Sequence, residues 1–250
     1  MKITLRRTGG AALALSGLLA LGACGSDGSP AEGTGTSGKA DAARGDTVDA
    51  GEVAGRMVTA MEKAGSGTMT MKTGEQEAYG DFVYVDGKMH QHTTVPVEGS
   101  EMEIIAVGDF VYLKGLPGQS KPWVKIDPTS SDPISQMFKG IVEGGVSDPG
   151  KMATNLKGTP ATVKAETGDT KTYEFTVDPA KALGSGATPP AGTGKLTMTY
   201  VLDKQDRPLK ISTATGGQSI EVEYVGWGKK ITIDAPPADE VGTLSIPSAG

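Results

Sequence analysis

Cysteine is nearly absent, with one in 250 residues. A single thiol excludes internal disulfides and cysteine-based zinc sites. Two histidines are too few for a metal cage built on imidazoles. Aromatic residues make up 5% of the chain and hydrophobic residues 37%, low for a globular protein yet too high for a fully disordered one. No apolar run reaches the ~20 residues that a membrane-spanning helix needs. Basic residues do not outnumber acidic ones. The formal net charge is -6, which gives no general attraction to nucleic acid. Glycine is in excess, at 37 residues. It has no three-residue period, so a collagen helix is excluded and many turns are expected.

The one cysteine has a telling position. Lys2, Arg6 and Arg7 form a positive segment, Ala11 to Leu21 is apolar, and the small-residue run Leu21-Gly22-Ala23 leads to Cys24. This is the layout of a secretory signal peptide over residues 1–23. Its cleavage site is similar to a bacterial lipobox. That implies a diacylglyceryl group on Cys24, cleavage before it, and acylation of the new N-terminus. Two or more chains hold a protein stably on a membrane where one holds it marginally. Loss of residues 1–23 removes three cations and no acids, taking the charge from -6 to -9. Such a surface is not expected to lie flat on anionic headgroups.

Residues 24–45 hold glycine, serine and alanine with no aromatic or branched aliphatic residue. They are expected to form a flexible tether with an r.m.s. reach of roughly 25 Å. Residues 46–250 are then expected to be one domain. Val53, Met57, Met61 and Ala64 recur on one helical face, Asp49 with Glu52 can make a capping box, and Gly65 can close the helix in the left-handed conformation. Two shorter helices are expected after Asp132-Pro133, with Ile134, Met137, Phe138 and Ile141 as the apolar stripe, and after Asp148-Pro149, with Met152 and Leu156. The remainder reads as strands joined by short turns, among them Asp86-Gly87, Gly108-Asp109, Gly168-Asp169 and Gly216-Gly217. The sequence predicts an α+β fold. It consists of a strongly curved antiparallel sheet of about eleven strands, with three helices packed on its concave side.

Catalytic chemistry finds little support. There is no G-x-S-x-G elbow and no H-E-x-x-H, and Gly194-Lys195 lacks the rest of a phosphate loop. No cofactor and no catalytic residue is assigned. His90 and His92 fall on the same side of a strand, where Glu101 or Glu103 could join them in a weak metal site or pH-sensitive patch. The plainer reading is a solvated strand face. Methionine is the more useful signal. Met57, Met61, Met69, Met71, Met137 and Met198 fall with Phe138 and Ile141 on expected inward faces. Methionine is flexible and polarizable. It serves a filled core or an adaptable cavity, and the residues leave both open.

Several stretches in order carry a resemblance: VGDFVYLKG followed by KPWVKID, the helix pair around Pro133 and Pro149, TKTYEFTVDPAKAL, VLDKQDRPLK, and YVGWGKKITIDAPPADEV. Over residues 46–241 the chain resembles the LppX/LprA/LprF/LprG-type lipoproteins of actinobacteria, whose fold is like that of the LolA and LolB carriers. The resemblance implies a half-barrel around an apolar cavity that accommodates acylated lipid or glycolipid, for transport or presentation in the cell envelope. With the lipobox-like signal, the expected location is the outer face of the cytoplasmic membrane, with a lipid partner and room for an envelope transporter or other envelope protein as a further one. The alternative is a non-enzymatic scaffolding lipoprotein with a filled core.

Overall fold

The computed structural model describes residues 42–97, 99–108, 110–126, 149–183 and 194–243. The first long element is helix α1 (Ala50–Ala64), which follows the short strand β1 (Thr47–Asp49). Its ends are set as the residue types require. The Asp49 side chain accepts from the Glu52 backbone N–H, and Gly65, at φ 80°, donates its N–H to the Met61 carbonyl. Ala50, Val53, Ala54, Met57 and Met61 are buried along one face.

Asp49 does more than cap α1. Its Oδ1 accepts from Glu52 at 3.1 Å, while Oδ2 accepts from the Gly158 N–H at 2.6 Å. Gly158 follows helix α2 (Pro149–Leu156), so one carboxylate ties the start of α1 to the end of α2. The helices cross closely. A Cβ on Gly51 would sit 2.7 Å from the Ala153 carbonyl oxygen and the Lys157 nitrogen, so only glycine fits. Asp49→Ala is expected to cost about 1–2 kcal/mol, a fall of several degrees in melting temperature. A thermal melt by circular dichroism checks this.

After α1 the chain lays down strands β2 (Ser66–Thr73), β3 (Gln76–Val85), β4 (Lys88–Val97), β5 (Ser100–Val107), β6 (Phe110–Lys114) and β7 (Trp123–Ile126) as an antiparallel meander. After α2 come β8 (Pro160–Glu166), β9 (Thr170–Val177), helix α3 (Pro179–Leu183), β10 (Leu196–Asp203), β11 (Pro208–Thr215) and β12 (Gln218–Val225). This second meander joins the first through an antiparallel β12–β2 pair in which Tyr224 faces Met69. The result is one open, curved sheet of thirteen strands in the order β1-β8-β9-β10-β11-β12-β2-β3-β4-β5-β6-β7-β13.

The last strand, β13 (Val241–Thr243), pairs in parallel with β7. It is parallel because residues 226–240 cross the outer face of the sheet before pairing. Ile231 and Ile233 pack there on Val83, Ile105, Tyr112 and Trp123. Gly228 donates to the Ser66 carbonyl, the Ser66 hydroxyl donates to the Lys229 carbonyl, and Lys121 Nζ donates to the Asp239 carbonyl at 2.8 Å.

The α+β fold with an open, curved antiparallel sheet is as the sequence predicts. The short strands β1, β7 and β13 carry the strand count past about eleven. The expected helix with Met137, Phe138 and Ile141 lies outside the described residues. Helix α3 was not expected.

Candidate functional site on the inner face of the sheet

Strand alternation assigns every second residue to the face that the helices cover. On the half from β8 to β3 these residues are Ala161, Val163, Tyr173, Phe175, Val177, Leu196, Met198, Tyr200, Leu202, Ile211, Val222, Tyr224, Met69 and Phe82, all buried in one cluster. Val53, Met57 and Met61 of α1 and Met152 and Leu156 of α2 enter the same cluster. Four of the methionines singled out in the sequence thus come together: Met57, Met61, Met69 and Met198. Met71 is half-buried and bridges this cluster to a smaller one containing Ala78, Val95 and Met102. Cys24, Met137, Phe138 and Ile141 lie outside the described residues.

The inner face does not stop at the helices. The register carries it on through Ile104 and Leu113 to Val124. Val111, Leu113, Val124 and Ile126 form an apolar strip, with Ile104, Ala106 and Leu116 beside it. No described helix contributes a residue to this strip. Periodicity alone could not reveal it, because β7 has only four residues.

At the C-terminal end of α1 the inner face becomes aromatic. The Phe82 ring meets Trp227 at 5.4 Å, Tyr224 at 6.0 Å and Tyr84 at 6.3 Å, all edge-on, and Tyr224 stacks on Trp227 at 5.9 Å. Gly67 makes room for this, since a Cβ there would lie 2.8 Å from the Phe82 ring. Among the described residues, Tyr84 Oη and Trp227 Nε1 are both buried without a hydrogen-bond partner. An unpaired buried donor is costly, and such groups call for a partner. Burial pushes the Tyr84, Tyr200 and Tyr224 phenols above their ordinary range, so all three remain neutral donors at physiological pH. The sequence showed tyrosines in strands but not that two polar tips are buried without partners. That depends on residues 226–228 folding back beside the start of β2.

The histidines stand on the opposite face. His92 Nε2 is 3.1 Å from Glu103 Oε2, and Lys114 Nζ donates to Glu103 Oε1 at 2.6 Å. The Lys114 hydrogen bond, followed by that of His92, holds the Glu103 carboxyl below its ordinary pKa. A carboxylate with a lowered folded value stabilises the fold above its unfolded pKa, and that contribution is lost as pH falls through the folded value. Among the described residues no group of three or more His, Cys, Asp or Glu side chains could hold a metal ion. No described helix is long and apolar enough to cross a membrane.

No family profile matches the chain. No curated protein matches it either. Solved structures do. LprF from Mycobacterium bovis aligns over 74% of this chain and 96% of its own at 14% identity, with a TM-score of 0.42. The Mycobacterium tuberculosis lipoprotein LppX aligns over 74% of this chain and 97% of its own at 12% identity, with a TM-score of 0.49. The chain is similar to LprF and LppX in fold. MucB, solved in complex with MucA, aligns over 76% of this chain and 58% of its own at 15% identity, with a TM-score of 0.37.

Proposed function

We propose that this chain is a non-enzymatic, extracytoplasmic lipoprotein, anchored through Cys24 to the outer face of the cytoplasmic membrane. It binds acylated lipid or glycolipid between the inner face of the sheet and the helices, for transport or presentation in the cell envelope. One observation carries the reading. The apolar inner face extends from β8 to β7: the cluster with Met57, Met61, Met69 and Met198 continues through Met71, Val95, Met102 and Ile104 to Val111, Leu113, Val124 and Ile126. A continuous apolar face lined by flexible methionines suits an acyl chain lying along the sheet.

The energetics fit a carrier. Moving a 16-carbon chain out of water gains on the order of 12 kcal/mol, but moving it out of a bilayer gains almost nothing, because one apolar site replaces another. An inner face about as good as the bilayer therefore loads and releases with equal ease. Met57, Met61, Met69, Met71 and Met198 supply a wall that adapts to chains of varied shape. Tyr84 Oη and Trp227 Nε1 offer donors to a headgroup at the end of α1.

Uptake of a fluorescent fatty acid such as cis-parinaric acid tests the proposal. Binding in the micromolar range or tighter is expected. Met57→Trp and Met198→Trp, which overfill the inner face, are expected to weaken it roughly ten-fold, and Met57→Leu to leave it unchanged. No uptake by the folded wild-type protein sinks the carrier reading in favour of a scaffolding lipoprotein with a filled core.

A further inference from the structure

The two ends of the sheet differ, and the register says which residues share an end. Strands β3 and β5 finish at the same end where β2, β4, β6 and β9 begin. Strand β12 finishes there as well, with Val225 opposite Thr68 near the start of β2. Helix α1 also ends there, since the Gly65 carbonyl accepts from the Tyr84 N–H and Gly228 donates to Ser66. The described chain starts at this end too. The Ala42 carbonyl accepts from Lys171 Nζ, and Lys171 lies next to the first residue of β9. Residues 42–49 then run down the edge of the sheet, pairing with β8. The segment from Cys24 therefore arrives at the end where α1 stops.

That end has a distinct surface. Val225 is 55% exposed, and Val85 and Phe110 are each 42% exposed. All three occupy the last or first position of their strands on this rim. Lys63, in the last turn of α1, and Lys229 and Lys230 are all exposed at this end, where a Cβ on Gly228 would lie 3.7 Å from the Ala64 carbonyl oxygen. Lys125 Nζ lies 3.3 Å from the centroid of the Phe110 ring. Glu166, Asp169, Asp203 and Asp206 in the turns at this end are paired with Lys171, Lys204, Arg207 and Arg56, which leaves Glu62 and Asp86 to set against Lys63, Lys125, Lys229 and Lys230. Trp227, half-buried, lies two residues before Lys229, and among the described residues its Nε1–H has no partner. Exposed apolar tips, lysines and an indole at one end suit the headgroup layer of an anionic bilayer. The opposite end carries Trp123 on β7, the start of α1 and Val97, 38% exposed, at the end of β4.

We propose that this rim, formed by Val85, Phe110, Val225, Trp227, Lys229 and Lys230, is a membrane-contact face that seats the domain end-on on an anionic phospholipid bilayer. The proposal deepens the carrier reading and rests on it for purpose. End-on seating brings the aromatic end of the inner face, with its two unpaired donors, to the headgroups from which a lipid would be drawn. It also accommodates the overall negative charge, which disfavours lying flat.

The chain holds two tryptophans, one near each end of the sheet, and a single cysteine. A maleimide phospholipid coupled to Cys24 of the full chain anchors it to vesicles whether or not cells acylate that residue. Vesicles of phosphatidylcholine carrying brominated acyl chains, with or without phosphatidylglycerol, then report contact by quenching. Trp123→Phe and Trp227→Phe variants separate the two signals. Quenching of Trp227 but not Trp123 is expected in the phosphatidylglycerol vesicles, and it should fade with added salt. A lysine near an anionic surface strengthens contact roughly five-fold, so Lys229→Glu with Lys230→Glu is expected to abolish the effect. An unquenched Trp227, equal quenching of both tryptophans, or quenching that ignores phosphatidylglycerol would each overturn the proposal. Acyl-probe uptake on the same samples keeps the two claims apart: lost uptake with Trp227 still quenched refutes the carrier, not the contact face.

Discussion

Cys24→Ala is expected to move the protein almost wholly from the membrane fraction to the soluble fraction. Two chains of sixteen carbons, at about 0.8 kcal/mol per buried methylene, anchor with more than 20 kcal/mol. Nothing else in the chain approaches that. The apolar stretch from Ala11 to Leu21 is too short to span a bilayer, and the rim lysines contribute only a few-fold each. Metabolic labelling with an alkyne fatty acid makes the same test covalent. The wild type should carry label and the variant none. Unchanged membrane retention together with unchanged labelling refutes lipidation at Cys24.

Tyr200→Ala is expected to be the most damaging single change in the described fold. Tyr200 is fully buried, its ring meets Phe175 edge-on at 5.1 Å, and its hydroxyl points at Met152 Sδ at 3.8 Å. It therefore joins β9, β10 and α2 at one point. Emptying that space should cost about 3–5 kcal/mol, the usual range for losing a buried aromatic ring. For a domain of this size the melting temperature should fall by roughly 10 °C. Tyr200→Phe keeps the ring and gives up only a weak contact to sulfur, so its cost should stay under about 1 kcal/mol. Chemical denaturation of the three proteins checks both numbers. A Tyr200→Ala protein as stable as the wild type would mean that the inner face is loosely filled there.

Local chemistry was the legible part of the fold. Asp49, Glu52 and Gly65 mark the ends of α1 because capping depends on neighbours three or four residues away. Asp86 and Gly87 mark a hairpin because both need positive φ, at 51° and 76°. Strand alternation also put Glu101 or Glu103 within reach of His90 and His92, and the pair that meets is His92 and Glu103. What the sequence hid is long-range. Strand β13 is three residues, too short for a period, and exists only because residues 226–240 cross the outer face to reach β7. Of the candidate site, the inward methionines of α1, β2 and β10 were legible, since each follows its element's period. Met71 is less covered than Met69, although both share a face. The free tips of Tyr84 and Trp227 were not legible. Each is unpaired only because of what the rest of the chain leaves out of its reach.

The most direct test of the account is to weigh what the protein carries. The folded domain is purified from a lipid-rich host, extracted with organic solvent, and the extract quantified by mass spectrometry against protein. A covalent anchor stays with the chain, so only bound lipid is counted. The account predicts close to one acylated lipid per folded chain, with a marked fall in Met57→Trp and Met198→Trp. Folded wild-type protein that yields no lipid, and takes up no acyl probe when offered one, would contradict it.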